Sequence, residues 1–405
     1  AKFKMSTFKI AEQSRIYLIC LVILLTMLSM VGSFISDTYL PALPTIAEDF
    51  LTTSELAQDT ITFYLLGFAF SQLLYGRCAD AFGRKYTLLV GLAVALIGSL
   101  GCCLVATSIR WFILFRFIQG LGAGAGVVVA RAIARDLFSG EKLAQIMSYM
   151  TLFFVIAPAL APVLGGYIQH WWDWRVIFVF ILLYILSSFI WSLCALPETT
   201  DPTLCMNLRR WFTDYTILLK NKNFIRHCYC ATAALAGFFA YYAISPFLFE
   251  KIFGVSAVDY GWLAVYIGAF SALSRFINGV LVIRCGIERV IYFGIIALVA
   301  AGLLMLGGYF LQINNMWAVL APMILFTIGA GLIFANSFAG AMEDFASMAG
   351  TASSLYGFLQ ILGTFGITWF ITKFAVHNQF ILATALLFLG VSALVVYRVC
   401  RNDVA

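Results

Sequence analysis

Long apolar stretches alternate with short polar segments along the whole chain. Each stretch is long enough to cross the roughly 30 Å hydrocarbon core of a bilayer as a helix that rises about 1.5 Å per residue. We place twelve of them at 16–40, 58–76, 86–106, 111–134, 144–169, 174–196, 226–249, 260–283, 289–310, 315–338, 347–372 and 377–398. The pattern predicts an all-α integral membrane protein with 12 transmembrane helices.

The composition argues against the alternative, a large soluble all-α protein. Of all residues, 63% are hydrophobic and 11% are charged, and the mean hydropathy is +0.97. Helices of a soluble core have one polar face, whereas these stretches are apolar all round. The ten cysteines lack the paired spacing of a metal site. We therefore expect them to pack as apolar residues, and we expect no metal and no cofactor.

Lysine and arginine are distributed unevenly between the two sets of connecting segments. If both termini are cytoplasmic, 19 of the 25 cations lie on that side. Four lie outside, at Arg110, Arg175, Lys251 and Lys373, and two fall within spans, at Arg116 and Arg275. Because cytoplasmic segments carry the cationic excess, we expect both termini in the cytoplasm. The net charge of +6 then reflects topology, and no nucleic-acid partner is implied.

The longest polar stretch separates the sixth span from the seventh and divides the chain into two halves of six spans. We set the first half, the cytoplasmic linker and the second half at 1–196, 197–225 and 226–405. Two glycines of the first half recur in the second half 203 positions later, as the pairs Gly76/Gly279 and Gly83/Gly286. We therefore expect two pseudo-symmetric halves that move against each other around a site near the middle of the membrane.

The segment 76–85 between the second and third spans is unusually polar for so short a connection. We expect Gly76 and Gly83 to allow close backbone approach and a tight turn. Asp80 then caps a helix N-terminus or pairs with a cation on a neighbouring helix. Together with Arg84 these residues predict a conformational gate. The alternative is that the cations only set topology, which leaves Asp80 and the glycine spacing without a role.

Five short segments spread along the chain form a recognisable set. They are 36–44 (SDTYLPALP), 76–85 (GRCADAFGRK), 116–120 (RFIQG), 157–166 (APALAPVLGG), and Asn336 together with 348–355 (MAGTASSL). The set resembles the Bcr/CflA group of drug/proton antiporters, which belongs to the major facilitator superfamily and includes bicyclomycin-resistance proteins. The resemblance implies the major facilitator fold and a place in the bacterial inner membrane. The second segment departs from the family pattern at Ala81, where arginine is common.

Asp37 and Arg116 are the candidates for proton coupling. Asp37 falls in the outer half of the membrane, where a carboxylate is costly unless it is paired, hydrated or protonated. Arg116 falls at a similar depth, and an arginine keeps its proton, so we expect it to pair with this carboxylate or with an anionic substrate group. Gln119 is expected on the same helix face. The alternatives are an Asp37 that faces water at the interface and an Arg116 that reaches the outer surface.

The fifth span carries Pro158, Pro162, Gly165 and Gly166, which match the antiporter motif of the resembled group. The prolines remove backbone donors and favour bends, while the glycines permit tight helix contact. We expect this helix to seal one side of the transporter against leak. The alternative is a tolerated proline kink with no role in coupling.

Arg275 lies nine residues before Arg284, too deep in the eighth span to reach the surface easily. It either favours an anionic or zwitterionic cargo or is bonded within the protein, by Asn278 or backbone carbonyls. With this arginine we assign to the substrate cavity a set of mostly aromatic side chains: Tyr39, Tyr64, Gln119, Phe154, Phe238, Tyr241, Asn336 and Phe358.

These observations predict a monomeric, proton-coupled secondary transporter that exports small amphipathic molecules by alternating access. Its partners are then a small-molecule substrate, protons and the lipid bilayer. One alternative is a facilitator, or a transporter of one anionic or zwitterionic metabolite or siderophore, which Arg275 favours. An intramembrane enzyme or a receptor is the other, but the sequence contains no HExxH motif, no paired catalytic acids and no large extramembrane segment.

Overall fold

The structure is a computed structural model that describes residues 15–104, 108–200 and 208–400. Within these ranges every regular element is helical. The α-helices are α1 Arg15–Asp37, α2 Leu43–Asp49, α3 Ser54–Phe82, α4 Arg84–Leu104, α5 Ile109–Leu137, α6 Gly140–Trp171, α7 Trp174–Ala195, α8 Leu208–Lys220, α9 Lys222–Pro246, α10 Ala257–Cys285, α11 Ile287–Phe310, α12 Trp317–Met342, α13 Ala349–Ile371 and α14 Phe380–Val399. Short helical turns at Leu40–Ala42, Phe247–Ile252 and Glu343–Met348 extend three of them.

Eleven segments in the described part of the chain are long and apolar enough to cross a membrane. The remaining predicted span, 58–76, lies within α3, which is long enough at 29 residues but more polar in sequence. Its polar side chains include Gln58, Thr60 and Thr62, which are buried. Because α3 packs between α5 of its own half and α13 of the other half, these polar groups face protein. The predicted all-α membrane fold is confirmed.

The helices form two bundles, α1–α7 and α9–α14, which meet along two seams. One seam pairs α3 with α13, and the other pairs α6 with α10. Between the bundles, α8 lies within the predicted linker and contacts α9 and α13. α8 was not predicted from the sequence, since its 13 residues are too few and too polar on one face to resemble a span.

The two halves share the same sharp junction between consecutive helices. Gly83 alone separates α3 from α4 and has φ of 101°, and Gly286 alone separates α10 from α11 and has φ of 81°. Residues with a Cβ rarely adopt this conformation. The predicted correspondence of the two halves is therefore visible at the second glycine of each pair.

The expectation that Gly76 allows close approach and a tight turn was wrong. Gly76 lies inside α3 because the helix continues to Phe82, and a Cβ there would meet only Val128, at an ordinary 3.7 Å. At Gly279 a Cβ would meet nothing within 4 Å. Neither position therefore requires glycine for close approach or for a turn.

The two faces of the bundle differ in how tightly the halves pack. We call the face at which α1 begins the base and the opposite face the top. The α3–α13 seam is closed from top to base, where Ser354 Oγ donates to the Gln72 carbonyl at 2.9 Å and Arg77 Nη2 donates to Thr351 Oγ1 at 3.0 Å. The α6–α10 seam is packed only in its top half. The halves are thus in contact along both seams at the top, whereas toward the base the α6–α10 seam is open.

Candidate functional site

Arg116 lies completely buried at the centre of the first half, inside a box of aromatic rings. Its guanidinium carbon is 4.2 Å from the ring centroid of Tyr39, 4.6 Å from that of Tyr64 and 5.9 Å from that of Phe178. A cation–π contact stabilises a desolvated cation by about 2 kcal/mol or more. A fully buried Arg116 cannot reach the outer surface, which removes the alternative of an interfacial side chain.

The hydrogen bonds of Arg116 go mainly to backbone. Nε donates to the Thr60 carbonyl at 3.3 Å, and Nη1 donates to the Ile35 carbonyl at 3.2 Å. Nη1 also donates to Gln119 Oε1, as expected for residues on one helix face, and Gln119 Nε2 donates to Ser99 Oγ at 2.7 Å. Nη2 is buried without an acceptor. One donor of the cation is therefore left for a further acceptor.

Asp37 is the last residue of α1 and is only 3% exposed. Ser36 Oγ donates to its Oδ1 at 2.5 Å. Its charge interacts with that of Arg116, but the two side chains form no ion pair within 4 Å in this conformation. The Asp37 carboxyl also interacts electrostatically with Tyr242 on α9, in the other half. Asp37 is therefore close both to the buried cation and to α9 of the other half.

The two glycines of the fifth predicted span pack on either side of this site. A Cβ at Gly165 would overlap the Thr38 carbonyl, directly after Asp37. A Cβ at Gly166 would come within 2.5 Å of the Ala257 carbonyl on α10. α6 continues as a helix through Pro158 and Pro162. Thus α6 is in direct contact both with the end of α1 and with the opposite half.

Two ion pairs join the halves at the top. Lys373, beyond the end of α13, donates to both carboxylate oxygens of Asp59 on α3, at 2.9 and 2.8 Å. Lys251, after α9, pairs with Glu48 on α2. Neither pair was predicted from the sequence, because partners more than 200 positions apart leave no local signal. Both pairs must break if the top opens.

At the base, the residues of the predicted gate form a network within the first half. Arg84 pairs with Asp80 and, at 3.0 Å, with Asp136 at the end of α5. Glu198 accepts hydrogen bonds from the backbone N–H groups of Arg84 and Lys85, at 2.7 and 3.1 Å. The start of α4 is thus capped by Glu198, whereas Asp80 pairs with the cation. Asp136 and Glu198 were missed, although each is an acidic residue next to the end of a predicted span.

Several residues assigned to the substrate cavity do not line open space in this conformation. Each is buried inside one half. Four of them form hydrogen bonds with neighbours: Tyr39 with Thr60, Tyr64 with the Gly32 carbonyl, Gln119 with Ser99, and Asn336 with Asn278, while the Tyr241 ring packs against Phe249. Polar side chains in apolar helices are satisfied within the protein, so their presence in a span does not by itself indicate a cavity. These five side chains are buried in this conformation, and their place in the substrate cavity stays a prediction.

The other assigned residues are at least partly open. Phe154 lies under the Arg131 guanidinium at 5.8 Å, and Phe238 stacks on Phe334 at 6.2 Å. The ring of Phe358 packs against that of Phe70 across the α3–α13 seam, with 6.0 Å between the ring centroids. Arg275 is exposed. The described residues contain no group of three or more His, Cys, Asp or Glu able to hold a metal ion.

Comparison with known proteins identifies the fold and the family. Residues 22–368 match the Major Facilitator Superfamily. The chain belongs to this superfamily. Its fold is similar to that of a D-xylose-proton symporter, with a TM-score of 0.74 at 15% identity over 93% of this chain and 97% of that one. Members of the major facilitator superfamily are membrane-embedded transporters of small molecules, so this protein is a transporter and not an enzyme.

Relatives within the major facilitator superfamily are named for drug resistance. The chain is 30% identical over 353 residues to Multidrug resistance protein D of Escherichia coli, covering 85% of this chain and 86% of that protein. It is also 30% identical to a bicyclomycin resistance protein homolog of Haemophilus influenzae, covering 83% and 84%. A chloramphenicol resistance protein of Pseudomonas aeruginosa is 28% identical, covering 85% and 82%. The resemblance drawn from the five motifs is confirmed, and the chain is a multi-pass protein of the inner membrane.

Proposed function

We propose that this transporter exports small amphipathic molecules from the bacterial cytoplasm in exchange for protons, and that the base is its cytoplasmic face. The observation that carries the proposal is the position of Asp37. Its carboxyl lies at the end of α1, beside a buried arginine and against the opposite half. A titratable group at such an interface can bind a proton in one state and release it in the other.

Arg116 supplies the second component of the exchange. Its Nη2 lacks an acceptor in the closed-top conformation, while its other donors hold the Ile35 and Thr60 carbonyls. A deprotonated Asp37 is a ready acceptor for this donor, and the pair would stabilise the charged carboxylate. Proton binding on Asp37 then removes the attraction and frees α1 to move. In this proposal Arg116 sets when Asp37 releases its proton.

α6 connects the proton site with the movement of the halves. Gly165 packs on the backbone next to Asp37, and Gly166 packs on α10. A shift at the end of α1 therefore changes the surface on which α10 rests, close to the Lys251–Glu48 pair that joins the halves at the top. Export follows if cargo enters from the base while the top is closed. The names of the relatives, which refer to resistance to several drugs, support an amphipathic cargo.

The proposal is tested with purified transporter in liposomes. A cargo is first identified by drug resistance in cells that lack their other efflux pumps, with and without a protonophore. Liposomes with the base facing outward and an acidic lumen should then accumulate this cargo, since protons leaving the lumen drive it inward. Accumulation should stop when a protonophore collapses the pH gradient. Equal cargo movement with and without the gradient would contradict proton coupling and indicate a facilitator.

A further inference from the structure

The α6–α10 seam is tightly packed in the top half of the membrane and loosely packed in the basal half. In its top half the two helices touch: a Cβ at Gly261 would come within 2.7 Å of the Pro162 carbonyl, and one at Gly268 would collide with Ala159. Toward the base the same two contact faces are exposed: Leu152, seven residues before Ala159 on α6, is 53% exposed, and a Cβ at Gly279 on α10 would meet no atom within 4 Å. The seam is therefore an opening between the halves in the basal half of the membrane.

Arg275 lies at the inner end of this opening. It follows Gly268 by seven residues, as Gly268 follows Gly261, so the three share one face of α10, the face toward α6. Arg275 is exposed, and one turn further on Gly279 is also exposed, with no atom within 4 Å of a Cβ built there. From Arg275 to Arg284 near the end of the helix is nine residues, about 13 Å at 1.5 Å per residue. Arg275 is too deep to place its charge at the basal surface.

The polar neighbours of Arg275 on α10 are already bonded to α12. Ser274 Oγ donates to the Ile328 carbonyl at 2.6 Å, and Asn278 Oδ1 accepts from Asn336 at 2.6 Å. Arg275 itself makes no hydrogen bond and no ion pair with any residue that the structure describes. The internal partners considered from the sequence therefore do not bind it here. A guanidinium at this depth is costly unless water or an anion neutralises it.

Within the membrane-spanning part of the opening the charges are of one sign, and the exposed Glu141 lies at the base, in the first turn of α6. Arg131 on α5 is exposed and lies over Phe154 of α6, and like Arg275 it forms no ion pair with a described residue. The described acidic residues inside the spans lie elsewhere: Asp37 is buried, and Asp59 is paired with Lys373 at the top. The opening thus combines two arginines with apolar and aromatic walls.

We infer that cargo enters through the opening between α6 and α10 and that Arg275 selects molecules carrying an anionic group on an apolar body. The inference rests on the proposed export function and names its substrate class. The guanidinium binds a carboxylate, sulfonate or phosphate through charge-assisted hydrogen bonds, while the walls bind the apolar part. A free amphiphile and the phosphate headgroup of a lipid share this chemistry, and the experiment separates them.

The test uses two fluorescent probes that differ in one charge. 8-Anilinonaphthalene-1-sulfonate is anionic, and N-phenyl-1-naphthylamine has the same rings without the sulfonate. Binding of each to the full-length transporter is measured in nanodiscs of neutral phosphatidylcholine. Arg275→Gln should weaken binding of the sulfonate on the order of tenfold and change binding of the neutral probe less than about twofold. Arg275→Lys should retain most of the difference, because it keeps the charge.

Arg284→Gln is the matched control, since it removes the same charge from the same helix at its basal end. It should leave the discrimination between the probes unchanged. Equal loss of both probes in Arg275→Gln, or an equal effect of Arg284→Gln on the sulfonate, would overturn the role of Arg275. Repeating the titration with phosphatidylglycerol in the nanodiscs tests the lipid source. If that lipid competes with the sulfonate in the parent and not in Arg275→Gln, the headgroup is the ligand; if it does not compete, the ligand is the free amphiphile.

The route is tested by narrowing the opening. Gly279→Trp should slow gradient-driven uptake of the sulfonate into liposomes with the base outward by about tenfold or more. Gly366→Trp on α13 is the control, since a Cβ there also meets nothing within 4 Å. Equal rates in Gly279→Trp and the parent would overturn the route. The binding assay uses no pH gradient. If transport proves independent of the gradient while binding of the sulfonate still depends on Arg275, proton coupling is contradicted and the role of Arg275 is not.

Discussion

At the scale of single residues, the buried arginine shows what a sequence can and cannot specify. A cation inside a span predicts a carboxylate partner at the same depth, and Asp37 does lie near Arg116. The bonds that hold the guanidinium, however, go to the carbonyls of Ile35 and Thr60 and to Gln119. Every residue has a backbone carbonyl, so the sequence does not show which carbonyls accept these hydrogen bonds. The depth of Arg116 was therefore predictable, and its set of partners was not.

Gly83 and Gly76 provide a matched pair of substitutions. Gly83→Ala should destabilise the protein by about 2 kcal/mol or more, because a residue with a Cβ resists positive φ and this Cβ would collide with the Glu198 carboxylate. Gly76→Ala should be neutral or slightly stabilising, since the position is helical and open. Thermal unfolding in detergent measures both effects.

The same two variants show whether transport depends on the α3–α4 junction at Gly83 or on the last turns of α3, where Gly76 lies. Gly83→Ala displaces the cap on α4, so it should also slow cargo exchange more than it weakens cargo binding. If Gly76→Ala lowers the unfolding temperature as much as Gly83→Ala does, the conformational requirement assigned to Gly83 alone is wrong.

At the scale of elements, the top of the transporter is held closed where α3 meets the end of α13. Lys373→Glu should break the pair with Asp59 and raise the population with an open top roughly fivefold, as expected for a partly exposed ion pair of about 1 kcal/mol. Hydrogen–deuterium exchange of residues 40–52 and 247–256 should then become faster. Arg110→Glu, an exposed cation at the same face, should leave exchange unchanged.

The control for this contact is a double variant in which the charges of Asp59 and Lys373 are exchanged, so that an ion pair can form again. The double variant Asp59→Lys, Lys373→Asp should return the exchange rates toward those of the parent. Rates in the double variant that equal or exceed those of Lys373→Glu would show that charge pairing does not hold the top closed.

The sequence specified the elements better than the contacts between them. Long apolar runs identify the spans because a bilayer requires continuous apolar helices. The start and end of the connection at 76–85 were misplaced, because α3 keeps its helical conformation through the polar residues up to Phe82. α8 was missed because it is short and amphipathic. Pairs such as Asp59–Lys373 and Glu48–Lys251 depend on how the two halves meet, which no local pattern encodes.

At the scale of the whole molecule, the proposed site of proton coupling, the closed top of the α6–α10 seam and the proposed entrance are connected through one helix, α6. α6 packs on the end of α1 near Asp37, closes the top half of its seam with α10, and leaves the basal half open. A change at Asp37 therefore acts on a helix whose other contacts decide which face is open. Alternating access follows if the basal half of this seam closes when the two ion pairs at the top break.

The measurement that tests this account most directly compares Asp37→Asn with the parent in two transport assays on the same liposomes. Asparagine has nearly the same shape and cannot carry a proton. We predict that Asp37→Asn no longer accumulates cargo against its gradient when the lumen is acidic, while it still exchanges cargo between equal concentrations on the two sides. If Asp37→Asn concentrates cargo as well as the parent does, the proton carrier lies elsewhere, and Asp59 and Glu250 become the residues to test.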